Sequence, residues 1–232
     1  IDAFIKALSP VMKNYSAAGH YGDSMVFILH GLDHRNNDPF IAVEPTPGGW
    51  GAWETGDGAD ALINNVNGAF KDIPIEIYEN KYPVTIRNYG LRRDTGGPGK
   101  MRGGCGLYKE YTVNTDLNLS LWFERSKTTG WGLFNGKDGI GPNVNIKHSN
   151  GKEENRLKSN SYPIKKGTVV TTYTGGGGGF GDSYDRDPRN VLEDVINGLV
   201  SIEKAKKDYK VIISRNMSID YSKTNDLRSK NN

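Results

Sequence analysis

The sequence has 232 residues, 30 Lys+Arg against 27 Asp+Glu, and a mean hydropathy of −0.62. It contains no apolar run near the ~20 residues that a spanning helix needs, which excludes a helical membrane protein. Thirty glycines, about 13% of the chain and nearly twice the usual share, together with 10% aromatic residues, describe a turn-rich folded protein and not a disordered one.

The charge is unevenly placed. From Gly198 onward there are eight basic and four acidic residues, so residues 1–197 carry 22 basic and 23 acidic side chains. The pI near 8.8 therefore belongs to the C-terminal end, and the body lacks the clustered Lys/Arg with stacking aromatics that nucleic acid requires. A single cysteine, Cys105, excludes an intrachain disulfide framework and a cysteine-based zinc cluster, and fits a reducing, cytoplasmic setting. The opening Ile1-Asp2-Ala3-Phe4-Ile5-Lys6 has no signal-peptide pattern and no initiator Met, and reads as the start of a processed or split chain.

Phe4, Ile5 and Leu8 stand at helical spacing, with Asp2 as N-cap and Pro10 near the end. The period then changes. Met25–Leu29 is a short apolar run of strand length, Ile73–Tyr78 alternates around Pro74, and Val84–Tyr89 alternates cleanly. Tyr108–Val113, Leu117–Phe123, Val144–Lys147 and Val169–Tyr173 continue the pattern, with Gly/Asn/Pro turns between them. Asp187-Pro188 opens a helix along Val191, Leu192, Val195, Ile196 and Leu199, with Gly198 as its C-cap. Ser201 caps a second short helix whose last turn holds Lys204, Lys206 and Lys207, and Val211–Ile213 reads as a closing strand. The expected fold is α+β and mainly β: a sandwich-like core with an N-terminal helix and two short C-terminal helices. Residues 1–213 form one domain, and 214–232 form a polar basic tail, frayed or draped over a partner.

Four glycine-rich segments break this grammar: Pro47–Ala52, Asp94–Gly106, Phe123-Glu124-Arg125 leading into Gly130–Gly136, and Gly175–Asp182. Glycine serves where backbones, or a backbone and a ligand, approach closely. The last segment satisfies a loose G-x-G-x-x-G, but no Lys-Ser/Thr follows it and no helix opens at once, so backbone packing suits it better than phosphate binding.

Together these segments resemble the hydantoinase B/oxoprolinase family. The resemblance rests on Tyr82-Pro83-Val84, Leu91–Gly104, Phe123-Glu124-Arg125 with Trp131–Gly136, and Gly175–Asp182 running on through Arg186-Asp187-Pro188 to Gly198–Ser201. It implies part of an ATP-dependent cyclic amidohydrolase of hydantoinase or 5-oxoprolinase type, acting through a phosphorylated intermediate. An ATP-dependent, biotin-independent carboxylase of acetone or acetophenone is the alternative within the family. It further implies an A-type ATP-binding companion chain, and ATP and a divalent metal (Zn, Mn or Mg) held mainly on partner chains. The match is to the C-terminal part of a B-type component, so the N-terminal part, with its His/Asp metal motif, is also expected as a partner and no metal ligand is transferred. A reading of another class makes the chain a non-catalytic assembly module whose basic tail docks to an acidic partner.

Charged residues wedged among glycines select Asp94, Arg102, Glu124 and Arg125 as catalytic candidates. The guanidinium groups of Arg102 and Arg125 suit a carboxylate or a phosphorylated intermediate; the competing reading is structural ion pairing, such as Asp94 with Arg102 or Glu124 with neighbours of Arg125. Gly96, Gly97, Gly103, Gly104 and Trp131 are the candidate substrate-binding positions, with close packing and core anchoring as their alternatives. Asp57 and Asp60 suit a cation or, better, a capped turn. His30, Asp33 and His34 have metal-ligand spacing only on a helix, which Gly31 disfavours, and His20, His30 and His34 read as loop or channel histidines. Cys105 reads as a small buried thiol.

Overall fold

In the computed structural model, which describes residues 1–64, 67 and 71–229, nine strands and five α-helices are defined. A short helix α1 (Asp2–Leu8) leads to strands β1 (Val26–Leu32) and β2 (Pro39–Glu44). Helix α2 (Ile75–Lys81) precedes β3 (Val84–Leu91), β4 (Leu107–Val113) and β5 (Leu117–Trp122). Strands β6 (Asn143–Lys147), β7 (Glu153–Asn155), β8 (Lys158–Ile164) and β9 (Val169–Tyr173) follow, and helices α3 (Pro188–Ile196), α4 (Ile202–Tyr209) and α5 (Tyr221–Ser229) complete the fold.

The strands pair antiparallel into a four-stranded sheet, β2-β1-β5-β8, and a five-stranded sheet, β3-β4-β9-β6-β7. One buried cluster draws Phe27, Leu29, Leu119 and Leu121 from the first sheet and Tyr111, Val113, Val144, Ile146 and Val170 from the second, which is the core of a sandwich. Strand β4 shows why: every second residue from Leu107 to Val113 is buried, the period-2 pattern of a strand with one covered face. The fold class is therefore the expected one. No helix of the described residues is long and apolar enough to cross a membrane.

Several local expectations are corrected. Ile73–Tyr78 is not a strand; the residues after Pro74 form α2, with Pro74 in the flanking position where its missing N–H costs no helical bond. Asp2 begins α1 without capping it, and its carboxylate pairs instead with Arg125. Val211–Ile213 makes only an isolated bridge, Ile213 with Ile219. The tail is ordered where fraying was expected. In α5 the buried Thr224 accepts from the Ile212 N–H, and Arg228 donates to the carbonyls of Tyr209 and Arg186. Residues 230–232 of that tail lie outside the described residues. The caps of α3 and α4 are as expected, Asp187 accepting from Arg189 N and Ser201 from Lys204 N, with Gly198 just past α3 at φ +74°.

Strand β9 runs straight into Gly175–Gly179, and there the ladder changes period. Gly176 N donates to Ile140 O and Gly179 N to Lys137 O; Thr174 N donates to Leu107 O and Gly177 N to Gly104 O. On a third side Gly175 O accepts from Gly49 N and Gly178 O from Ala52 N. On each side the partners recur every three residues along both chains, whereas a β-ladder alternates every two. Three residues per turn with no internal hydrogen bonds is the polyproline-II helix, which turns its amides outward in three directions. The glycine run is thus the axis of a bundle of extended backbone segments.

Candidate functional site

The glycine bundle separates two clusters of charged side chains. On one side lie Arg102 and Arg186, 4% and 2% exposed, facing Asp57, Asp60 and Asp194. Arg102 donates through Nε to Asp194 at 3.2 Å and through Nη1 to Asp60 at 3.0 Å and to Gly103 O at 2.6 Å. Arg186 forks onto Asp57 at 2.8 and 2.7 Å and donates through Nε to Asp194 at 3.0 Å. Asp57 also accepts from Arg102 N, and Asp60 from Cys105 N, each at 2.6 Å. Burial opposes the charge on Asp57, but Arg186 and the Arg102 N–H outweigh it and hold its carboxyl below the usual range. Asp57 and Asp60 therefore hold neither a cation nor a turn cap; they neutralise two arginines that fasten the glycine bundle to α3.

Asp94 is not the partner of Arg102. It sits at φ +65° and accepts from Ser201 N at 2.7 Å, ahead of α4, while its own N–H donates to Leu199 O. Gly96, Gly97, Gly103 and Gly104 pack so closely that an added Cβ would lie 1.9–2.1 Å from backbone atoms of Gly103, Lys137, Gly177 and Ala59. Their α-carbons face neighbouring chain segments. Burial raises the Cys105 thiol above its ordinary pKa, against the lowering effect of Arg102. A protonated, enclosed thiol is no nucleophile.

The other cluster lies beside α1. Arg125, at φ +56°, packs its guanidinium over Gly22, where a Cβ would come within 2.9 Å of Cζ. Its Nη2 donates to Asp2 Oδ2 at 3.3 Å, His20 O at 3.2 Å and Thr129 O at 3.3 Å, while its Nε is buried with no partner. His20 is 5% exposed and stacks on Trp50, ring centroids 4.6 Å apart. Its Nδ1 accepts from Gly51 N at 2.8 Å, which places the ring proton of the neutral form on Nε2. Burial lowers the His20 pKa; Asp2 opposes this and Arg125 adds to it, so the ring is neutral near pH 7. Trp131 closes the corner, its backbone and ring lying against Gly19 and Lys6 Nζ standing 5.0 Å above the ring. Glu124 turns away: its backbone N–H donates to Asp23, but its carboxylate is exposed and pairs with Lys158.

The structure thus brings together Arg125 and Trp131 from the candidate set and leaves Asp94, Arg102 and Glu124 elsewhere. It adds His20 and Asp2. His20 was legible by the rule that selected the others, since Gly19 and Gly22 flank His20-Tyr21. What the sequence could not show was its burial against Trp50. This corner presents hydrogen-bond donors beside aromatic walls, a setting for an anionic or strongly polar group.

ATP and the metal are expected mainly on partner chains, and two features of the described residues bear on them. Among the described residues no three His, Cys, Asp or Glu stand where they would hold a metal ion, and the acidic group that gathers at Asp57, Asp60 and Asp194 is occupied by guanidinium groups. His30 lies in β1 with its ring beside Ser161, and Asp33 pairs with Arg35. The N–H groups of Gly176 to Gly179 and of Gly181 all donate to backbone carbonyls, which leaves none of them to cradle a phosphate.

Known proteins share this architecture. The family model for hydantoinase B/oxoprolinase matches residues 1–183. The putative B component of a D-/L-hydantoinase from a Pseudomonas species is 31% identical over 98% of this chain, and the beta chain of caprolactamase from Pseudomonas jessenii is 33% identical over 90%. The chain spans 38% of the length of each. The crystal structure of the ATP-dependent caprolactamase from Pseudomonas jessenii superposes over 97% of this chain and 40% of its own, with a TM-score of 0.85 and 29% identity. Nucleotide-free acetone carboxylase superposes over 96% of this chain and 34% of its own with a TM-score of 0.80, but at 19% identity it speaks to the fold alone. On the family model and on these relatives, this chain belongs to the hydantoinase B/oxoprolinase family.

Proposed function

We propose that this chain supplies the C-terminal part of a B-type component in an ATP-dependent enzyme that opens cyclic amides. The observation that carries the reading is the match along nearly the whole chain to a hydantoinase component and to a caprolactamase, both named for cyclic amides, at 31% and 33% identity. The carboxylase alternative rests on a fold likeness at 19% identity, so the amidohydrolase is preferred. The working complex contains an A-type ATP-binding chain and the remainder of a B-type chain, in the cytoplasm. ATP and the divalent metal lie on those partners.

This chain's own contribution is the corner of Arg125, His20 and Trp131. Opening an amide ring places negative charge on the carbonyl oxygen and then on a new carboxylate. A guanidinium Nε–H and an imidazole Nε2–H, both short of acceptors and walled by Trp50 and Trp131, suit such charge. Asp94, Arg102 and Glu124 hold the scaffold and its surface, and the glycines hold the bundle together.

The test is native mass spectrometry of the complex from its source, followed by ADP release with hydantoin, caprolactam and 5-oxoproline, and with acetone plus bicarbonate. Turnover of a cyclic amide by a complex containing this chain is expected. Turnover of the ketone alone would install the carboxylase reading. Full turnover by a complex whose Arg125 and His20 are both replaced would leave the chain as an assembly module.

A further inference from the structure

Arg125 is an arginine with most of its donors unused. A guanidinium offers five N–H donors. Here Nη2 alone is engaged, by three acceptors at 3.2–3.3 Å, and the buried Nε has no partner. Beside it stands His20, at least nine-tenths buried, with Nδ1 taken by Gly51 N and Nε2 without a hydrogen bond. Arg125 Nε is thus a buried N–H donor that is costly unless an acceptor joins it, and the His20 Nε2–H beside it has no acceptor among the described residues.

A carboxylate is already there in part. Oδ2 of Asp2 accepts from Arg125 Nη2 at 3.3 Å, and the Asp2 carboxylate lies near enough to His20 to act on its ring charge. Asp2 arrives on α1, and α1 is lightly held. The helix has no buried residue and no side-chain cap, Ile5 and Leu8 are half-buried, and Phe4 is 70% exposed. Its polar ties are the Asp2–Arg125 pair and Lys6 over Trp131, two of the weaker interaction classes at partly exposed sites.

We propose that Arg125 and His20 form a carboxylate-binding site, and that Asp2 on α1 is its built-in competitor, covering the site until a ligand carboxylate displaces it. The ligand class is a small carboxylate carrying an amide, whose two oxygens meet Arg125 Nε–H and His20 Nε2–H while Trp50 and Trp131 wall its flat amide. The site deepens the reading of Arg125 given above and rests on it for the amide. Carboxylate binding itself needs neither ATP nor a partner.

The probe is N-acetylglycine, with its uncharged methyl ester as control, titrated into the purified chain and followed by the ring-nitrogen shifts of His20. An internal competitor occupying a site about 90% of the time weakens apparent binding about tenfold, and this is the scale expected here. Asp2→Ala is therefore expected to bind N-acetylglycine about tenfold more tightly than the parent chain, and the ester is expected not to bind. Asp2→Ala with Arg125→Lys keeps the charge but removes Nε–H, and is expected to lose the gain while melting like the parent. Equal affinity of parent and Asp2→Ala, absence of binding to both, or equal binding of acid and ester would each overturn the assignment. Because these readouts do not involve turnover, a chain that fails to bind N-acetylglycine while its complex still opens cyclic amides only with Arg125 and His20 intact would sink the inference and leave the proposed function standing.

Discussion

Arg102 and Asp194 lie 92 residues apart, yet Nε of one donates to Oδ1 of the other at 3.2 Å with both side chains buried. Asp194 also accepts from Arg186, so one carboxylate on α3 serves two arginines. Breaking a buried pair strands the opposite charge and typically costs about 3–5 kcal/mol. Asp194→Ala is expected to fall in that range, read as a lowered urea midpoint with an unchanged slope. A loss below about 1 kcal/mol, the scale of a surface pair, would show that the network is not what fastens α3 to the glycine bundle.

Asp57, in the same network, predicts an acid limb. The Asp57 carboxyl is held below its ordinary value, so the folded chain binds fewer protons there than the unfolded one. Stability from Asp57 is then fully present above about pH 5 and is lost as pH falls through the unfolded value near ~3.9 and on past the folded one. Asp57→Asn is expected to be less stable at pH 7 and to lose less further stability between about pH 5 and 3 than the parent. Urea midpoints across that range measure it, and parallel curves would refute it.

Within one run of five glycines the structure assigns opposite tolerances. A Cβ on Gly177 would lie 1.9 Å from Trp50 O and 2.1 Å from Trp50 C, atoms that cannot swing aside. A Cβ on Gly175 meets nothing nearer than 3.4 Å, and neither residue has a positive φ. Gly177→Ala is expected to cost about 3 kcal/mol or more through overpacking. Gly175→Ala is expected to be neutral or to gain up to about 1 kcal/mol, because alanine restricts the unfolded chain. Thermal melts of the two variants decide it.

That contrast also marks how far the sequence could be read. Strands such as Tyr108–Val113 were legible because alternation follows directly from one buried face. Strands β2 and β8 were not, since Pro39 and the Ser/Asn/Pro composition of Lys158–Ile164 hide edge strands of the four-stranded sheet. Close packing of the glycine segments could be foreseen, but not its three-residue register, which depends on partners near residues 49, 104 and 137 acting at once. Site residues followed the same division. Arg125 and Trp131 share a corner, but the partners of Arg102 come from positions 60 and 194, and charge and spacing alone wrongly offered Asp94.

Lys109 and Glu44, 1% and 2% exposed, form an ion pair inside the sandwich, and Tyr111 donates its hydroxyl to the same carboxylate at 2.7 Å. The ammonium also lies over the rings of Tyr78, Tyr89 and Tyr111 at 4.9–5.6 Å. A pair so enclosed is costly to halve and cheap to replace as a whole. Lys109→Met or Glu44→Gln alone is expected to cost about 3 kcal/mol or more, and the double variant clearly less than the sum. Additive losses in a denaturant cycle would mean that the two charges are stabilised independently.

Arg102 and Arg125 were indistinguishable as guanidinium groups set among glycines, yet their surroundings predict different variants. Every direction around Arg102 is filled by Asp60, Asp194 and Gly103 O, so Arg102→Lys should lower stability, leaving residual turnover to follow the folded fraction. Arg125 uses one nitrogen and holds a buried Nε in reserve, so Arg125→Lys should melt near the parent. In the assembled complex that variant is expected to lose roughly 100-fold in kcat/KM on a cyclic amide, the scale of removing one preorganised donor from developing charge. Measuring melting temperature and kcat/KM together on both variants separates scaffold from site. If Arg125→Lys kept full kcat/KM while Arg102→Lys lost it beyond its loss of folded protein, the assignment would be reversed and the functional corner would lie beneath α3.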